Sequence, residues 1–324
     1  TLSFIGDCTL APHQNTQDYF NKVGDDYAYP FANTVQYFAD DEYTFANLEC
    51  TFSDRSLSPV GYPTFYFRAP TSYVNILLEG GVDFVTTANN HLNDFGDKGV
   101  EDTYATLDNA GLPYGKVGQA QVVTTKNGIK IGVYCGFNIN DGYFVPTTDE
   151  CVNAINQMKA DGAEYIVMAF HWGKELYYKP TQKMIDLAQA CIDAGADLIY
   201  GSHTHCLQPI EEYGDGLILY SMGNWTFGGS TMPSDPDTAI VQVELTRNDD
   251  GSVSRTGMDV IPCCVSSKID AAMANEQNYN DYKPTPYEEG SEGYNRVLSK
   301  LTGEFEATSQ GADYSGWLAS RAGG

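Results

Sequence analysis

The chain has few positive charges: 18 lysines and arginines stand against 43 aspartates and glutamates, a formal net charge of -25. That balance repels polyphosphate, so nucleic acid and anionic membrane surfaces are excluded as partners. Long apolar runs are missing too. No stretch approaches the roughly 20 residues that a membrane-spanning helix needs. The eight cysteines show no C-x-x-C and no finger-type spacing, which argues against a disulfide scaffold or a zinc finger. Histidine is scarce, at five residues. Met is absent from the start, Thr1-Leu2-Ser3-Phe4, which reads straight into a strand. An upstream signal or anchor is therefore expected, with the protein at the extracellular face of the membrane or in the cell envelope.

What is present is an ample core supply, 42% hydrophobic residues with 15 Phe and 23 Tyr. Strand-like apolar runs alternate with helical periodicity: strands at 2–6, 43–48, 82–86, 164–170 and 197–200, and helices at 31–40, 72–78, 98–110, 150–160 and 180–194. Val100, Tyr104, Leu107 and Ala110 form the apolar face of the third helix. Asn127-Gly128 and Gly214-Asp215-Gly216 mark hairpins, and another surrounds 248–251. This order predicts an α/β fold with parallel crossovers and added hairpins. From about Ser266 the composition turns to Asn, Tyr, Glu, Gly and Ser. We therefore divide the chain into a domain at 1–265 and a polar C-terminal extension at 266–324, packed on the domain or trailing from it.

The few histidines are concentrated where chemistry is expected. Asp7, Glu49, Asn90-His91, His171 and His203-Thr204-His205 each follow an apolar run. In open α/β sheets the carboxyl ends of strands carry the site. Imidazole with carboxylate and amide oxygen suits manganese, zinc or iron better than calcium. His203 and His205 share one face if the segment is extended, or face two neighbouring ions if it turns.

Six motifs then occur in order: Gly6-Asp7, Asn47-Leu48-Glu49, Asn89-Asn90-His91-Leu92-Asn93-Asp94, His171-Trp172-Gly173, Gly201-Ser202-His203-Thr204-His205 and Ser221-Met222-Gly223-Asn224-Trp225. Together, from residue 2 to about 228, they resemble the bacterial capsule-synthesis CapA family, associated with poly-γ-glutamate production. That family is in turn similar to the calcineurin-like metallophosphoesterases. The resemblance implies a four-layer α/β/β/α sandwich with a metal site at the sheet edge. It implies that one or two divalent ions bind. Asp7 and His205 would hold the first, Asn90, His171 and His203 the second, and Glu49 would bridge them. It also implies a phosphate ester or an anionic polymer as substrate, and membrane-bound capsule synthase components as partners.

The resemblance also implies that His91 stands beside those ligands as a general acid or phosphate contact. Asp94 would orient it, or else cap the following helix. Glu175 is a candidate base or extra ligand, with a solvated carboxylate as the plain alternative. Arg68 is the rare cation near a motif and could grip an anionic group. Asn224 joins it as a substrate contact, and the 220–225 segment would shape the site floor. Where the phosphoesterases have Asp-x-His, this chain has Asp7-Cys8-Thr9, so the first ion loses a ligand. His13 is a nearby substitute, although a lone loop histidine more often faces solvent. Two functions stay open: a metal-dependent hydrolase, or a non-catalytic polymer-binding or export component with a degenerate site.

Overall fold

Asp7 sits near the end of the first strand, and the fold follows from what packs around that strand. The computed structural model describes residues 1–12, 24–61, 65–139 and 146–307; His13 lies outside them. The first third runs β1 (Leu2–Thr9), β2 (Tyr43–Leu48), β3 (Thr51–Phe52), β4 (Arg68–Ala69), α1 (Val74–Glu79), β5 (Phe84–Thr86), α2 (Gly96–Ala110) and β6 (Tyr114–Gly115). Next come β7 (Ala120–Thr124), β8 (Lys130–Ile139), α3 (Thr148–Ala160), β9 (Tyr165–Gly173), α4 (Gln182–Asp193) and β10 (Leu198–Ser202). The last third holds β11 (Ile210–Tyr213), β12 (Gly216–Leu219), β13 (Asn224–Phe227), β14 (Asp237–Arg247), β15 (Val253–Cys264), α5 (Ile269–Met273), β16 (Thr285–Pro286) and α6 (Glu292–Thr302).

Two sheets result. One has the order β16-β15-β14-β1-β2-β5-β6, with β13 also pairing β1; the other has β11-β12-β10-β9-β8-β7. The period-2 alternation of each strand sends side chains to both faces. Phe4, Phe45 and Phe84 face the second sheet, where Val133, Val167, Leu198, Tyr200 and Leu219 meet them. Phe4 stacks on Phe45 at 5.0 Å and tilts against Tyr200 at 5.5 Å. The Tyr200 hydroxyl donates to the Ile5 carbonyl at 2.6 Å, joining the sheets with a buried hydrogen bond. The opposite faces are covered by helices. Ile5, Ala46 and Val85 pack with Ile76, Leu77 and Leu107. Met168, Phe170 and Ile199 pack with Ile155, Leu187 and Cys191. This is the expected four-layer α/β/β/α sandwich, with strands buried on both faces as crossovers demand.

Local signals hold at α3, where Thr147 and Glu150 form a capping box. They fail at 31–40. The expected helix is two 3-10 turns, Tyr29–Phe31 and Val35–Tyr37. Thr34 is buried there and Val35 is 37% exposed, so the inward-facing residues are Phe31, Thr34 and Phe38. On α2 the buried face is Gly99, Thr103, Thr106 and Leu107 rather than the expected apolar stripe. A Cβ on Gly99 would lie 2.8 Å from Thr51 Cγ2, and Thr103 Oγ1 accepts from Phe52 N at 2.9 Å. Close backbone approach to β3 decides that face, not hydrophobicity. All eight cysteines are buried and unpaired.

Beyond 265, β16 pairs with β15 and α6 packs on β14 and β15. Lys300 on α6 is 2% exposed. Its ammonium donates at 2.7 Å to both oxygens of Asp235 and to Asp237 Oδ2. Arg296 grips Asp237 bidentately at 2.6 Å, and the Tyr287 hydroxyl donates to it at 2.8 Å. Residues 308–324 lie outside the described residues.

Candidate metal centre

Parallel pairing sets the carboxyl ends of β1, β2 and β5 side by side in one sheet, and those of β9 and β10 in the other. The two edges meet. Asp7, Glu49, Asn90, His91, His171, His203, His205 and Asn224 come together there, drawn from both sheets. His171 lies within β9, opposite Ser202 of β10. Gly6 allows the last piece to dock: a Cβ there would lie 2.2 Å from the Gly223 carbonyl oxygen. Its absence lets Asp7 N donate to that oxygen at 2.9 Å and puts Asn224 beside Asp7 in register.

His203 and His205 both have left-handed backbones, with φ of 97° and 54°. The segment therefore turns rather than extends, and the rings diverge to centroids 6.1 Å apart. His203 lies 4.7 Å from the His171 ring. His205 Nδ1 is 2.8 Å from Asn224 Oδ1 and 3.6 Å from Asp7 Oδ2. Two groups able to hold a metal ion follow, Glu49–His171–His203 and Asp7–Glu49–His205, each with ligand atoms within 4.8 Å of one another. Glu49 is common to both. Asn90 Oδ1 lies 2.8 Å from His171 Nε2, adjacent to the first group.

The electrostatics are those of a site short of positive charge. Burial, and then the charge of Glu49, push the Asp7 carboxyl up to about 8, against His205 and the Asn47 hydrogen bond. Burial pushes Glu49 up to about 7. Burial also drives His203 down to about 3 and His171 well below its usual value, with the neighbouring imidazoles adding to both. Two buried atoms of the candidate ligands have no hydrogen-bond partner, Glu49 Oε1 and His203 Nδ1. Leaving such groups bare costs about 1–3 kcal/mol each. Carboxylate and imidazole donors converging with no lysine or arginine among them suit a divalent cation, so this donor set fits one.

Outside the ligands, His91 Nδ1 is 2.9 Å from Asp94 Oδ2. Burial depresses the His91 pKa, but the Asp94 hydrogen bond and the charges of Glu49, Asp94 and Glu175 outweigh it, so the net shift is upward. Asp94 also accepts from Phe67 N at 2.7 Å. It does not cap α2, whose N-cap is Phe95 with no side-chain bond. Glu175 is exposed at the rim of a cavity of about 330 Å³ that His91, Asn90, His205 and Asn224 also line. Arg68 is not brought there. Its guanidinium donates to the carbonyls of Arg55 and Leu57 at 2.8 and 3.1 Å and lies over the Phe95 ring. Trp225 also turns away, packing against Phe31 and Phe38 beneath the outer helices.

Three residues had no assigned role from sequence. Asn47 donates to Asp7 Oδ1 at 2.8 Å, and its own oxygen accepts from Thr86 at 2.7 Å and Asn89 at 3.1 Å. It stands in the Asn47-Leu48-Glu49 motif, which was signal enough. Ser202 Oγ lies 2.9 Å from His171 Nδ1 and orients that ring. Thr9, which sequence comparison marks only as a lost ligand, donates to Glu49 Oε2 at 2.9 Å. No spacing rule would have found that bond.

The chain matches the family model of the bacterial capsule synthesis protein PGA_cap over residues 1–229. It is 28% identical to the capsule biosynthesis protein CapA of Bacillus anthracis over 338 aligned positions, covering 97% of this chain and 75% of that protein. It is 27% identical to the PGA biosynthesis protein CapA of Bacillus subtilis, covering 80% and 71% respectively. Among solved structures, a Mycoplasma pneumoniae phosphatase aligns with 81% of this chain and 92% of its own at 14% identity and a TM-score of 0.49. A Candida albicans 5'-nucleotidase aligns with 92% and 56% at 11% identity and a TM-score of 0.49.

Proposed function

The chain belongs to the bacterial capsule synthesis protein family, and from that premise we propose that it acts in poly-γ-glutamate capsule synthesis as a metal-dependent hydrolase. The observation that carries the reading is the pair of orphaned buried ligand atoms, Glu49 Oε1 and His203 Nδ1, in a cluster without a cation of its own. Glu49, His171, His203 and Asn90 would hold one ion, and Asp7, His205 and Glu49 a second. When bound, the ions supply an activated water and charge neutralisation at the reacting oxygen. No helix among the described residues is long and apolar enough to cross a membrane; we place the protein at the outer face of the cell envelope, beside the polymer it serves.

The chain's own residues do the rest. Asp94 engages His91 Nδ1, which fixes the ring and leaves Nε2 as the nitrogen to meet substrate. The raised His91 pKa keeps a proton there to give to a leaving group. Asn47 and Thr9 hold the two carboxylates in place. Ser202 orients the His171 ring by engaging Nδ1. Phe67, whose ring centroid is 4.5 Å from that of His91, keeps water from one side of it.

The test pairs metal analysis with turnover of a generic phosphodiester and of a polyglutamyl peptide. His203→Ala is expected to lose bound manganese and activity together. His91→Asn is expected to keep its metal and lose about 10²–10⁴-fold in rate. Full metal loading with no turnover of either substrate would favour the polymer-binding role instead. Metal loss in His91→Asn would make His91 a ligand and overturn the division of roles.

A further inference from the structure

The cavity beside the metal centre is polar at one end and apolar at the other. Asn90, His91, His205 and Asn224 line the inner end. Phe65, Phe67, Leu176, Phe227, Met232 and Pro233 supply its apolar lining, with Glu175, Gly229, Ser230 and Ser234 among them. The aromatic part directly abuts the imidazoles. The Phe67 centroid is 4.5 Å from that of His91, Phe227 is 5.0 Å from His205, and the two rings are 6.5 Å apart. Gly229 makes room for them, since a Cβ there would lie 2.6 Å from the Phe227 ring and 3.0 Å from Phe67. At the mouth, Phe65 is 52% and Met232 38% exposed, a large apolar surface to leave in water.

The charge of the cavity is as informative. No lysine or arginine lines it among the described residues, while Glu175 does. A polyglutamyl strand carries a carboxylate on every residue. Drawn through this space, its successive carboxylates would meet Glu175 and aromatic rings with no counter-charge beyond the ions, and burying unpaired charge costs several kcal/mol.

We propose that this cavity is a subsite for an uncharged apolar or aromatic group joined directly to the phosphoryl group at the metal centre, and that the polyglutamate chain does not thread through it. The substrate class is therefore a phosphate ester of an apolar or ring-bearing alcohol. This rests on the metal-centre reading above. The outer wall is fixed to receive such a group. Asn280 Nδ2 donates to the carbonyls of Phe227 and Ser230 at 2.9 and 2.8 Å, and the Tyr279 hydroxyl donates to that of Pro233 at 2.5 Å. The family match ends at residue 229, where this wall begins, so the C-terminal segment that braces it tunes specificity rather than chemistry.

Calorimetric binding to the manganese-loaded protein separates the ideas. The probes are methylphosphonate, phenylphosphonate and 3-phosphonopropionate, which differ only in the group carried by the phosphoryl. Phenylphosphonate is expected to bind about tenfold more tightly than methylphosphonate, and the carboxylate-bearing probe no more tightly than methylphosphonate. The phenyl-to-methyl ratio is expected to fall towards one in Met232→Asp, a half-exposed position that tolerates the change, and in Phe227→Ala. Equal binding of phenyl and methyl probes, or tightest binding of the carboxylate probe, would overturn the subsite while leaving the metal centre standing. Failure of the protein to load manganese would remove the metal-centre reading and the subsite with it, and failure of all three probes to bind the loaded protein would overturn the subsite.

Discussion

Two clusters of buried carboxylates sit in this molecule, and they are solved in opposite ways. In the C-terminal cluster, Asp235 and Asp237 are matched by Lys300 and Arg296 through five contacts of 2.6–2.7 Å. Burial pushes Asp237 upward, but Lys300 and Arg296 outweigh it and hold its carboxyl below the usual range. In the strand-edge cluster, Asp7 and Glu49 are equally buried, yet no lysine or arginine bonds them among the described residues, burial holds the neighbouring His171 and His203 neutral, and both carboxyls are pushed up. The chain supplies its own cations where only packing is at stake. It supplies no lysine or arginine at the cluster we propose to hold a metal ion. The lesson is that burial of charge alone does not mark a function; the missing counter-charge does.

The comparison breaks most visibly under mutation. Lys300→Met strands the buried Asp235, while Asp237 keeps Arg296, and is expected to cost about 3–5 kcal/mol in urea unfolding, without altering metal stoichiometry in protein that remains folded. Glu49→Gln in chelator is expected to be neutral or stabilising, because it removes a buried carboxyl with no lysine or arginine to pair it. Equal losses in the two variants would erase the distinction.

Metal itself comes next. Manganese at about 100 times its dissociation constant is expected to raise stability by about 2.7 kcal/mol, and His203→Ala to abolish the gain. Thermal melts with and without chelator measure it.

A smaller effect is the pH slope. The folded pKa values of about 8 for Asp7 and about 7 for Glu49 lie above their unfolded values near 4. In metal-free protein the folded state therefore holds more protons, and the stability these groups contribute, full below about pH 4, is lost as pH rises through 7 and 8. Urea unfolding in chelator at pH 5 and pH 8 should show the decline, and metal should flatten it with release of protons on binding. A slope unchanged in Asp7→Asn would count against the assignment.

The finest test lies within the strand-edge cluster. The Asn90–His171–His203 side is expected to bind metal more tightly than the Asp7–His205 side, where Thr9 is spent on Glu49. Titration should give two unequal steps, and two equal ones would contradict this.

Much of this was legible because polar residues after apolar runs are conspicuous. Asp7, Glu49, Asn90 and His203 announce strand ends, and parallel crossovers put such ends on one edge. The parallel crossovers were legible for the same reason, since strands buried on both faces read as continuous apolar runs; the four-layer sandwich came from the family resemblance alone. What stayed hidden depends on packing in space. Arg68 looked like an anion grip, but two backbone carbonyls and Phe95 hold it elsewhere. Lys300, in a polar tail, gave no hint of being 2% exposed, since its partners lie more than sixty residues upstream. The 31–40 segment kept helical spacing but buried Thr34 instead of Val35, a choice made by the layer above it. The cavity wall at 229–234 has no periodicity at all.

The position of β1 bears on how the protein is made. Although it is the first strand of the sequence, it lies inside its sheet, with Leu2 opposite Val243 and Asp7 opposite Asn224. During synthesis it can pair with β2 early, but its other edge must wait for strands translated near the end. Such long-range closure makes folding slow and leaves an apolar strand edge open to other chains meanwhile. The metal ligands share that delay, because His203, His205 and Asn224 are translated late. The centre is therefore complete only once β1 has paired with strands more than 200 residues downstream.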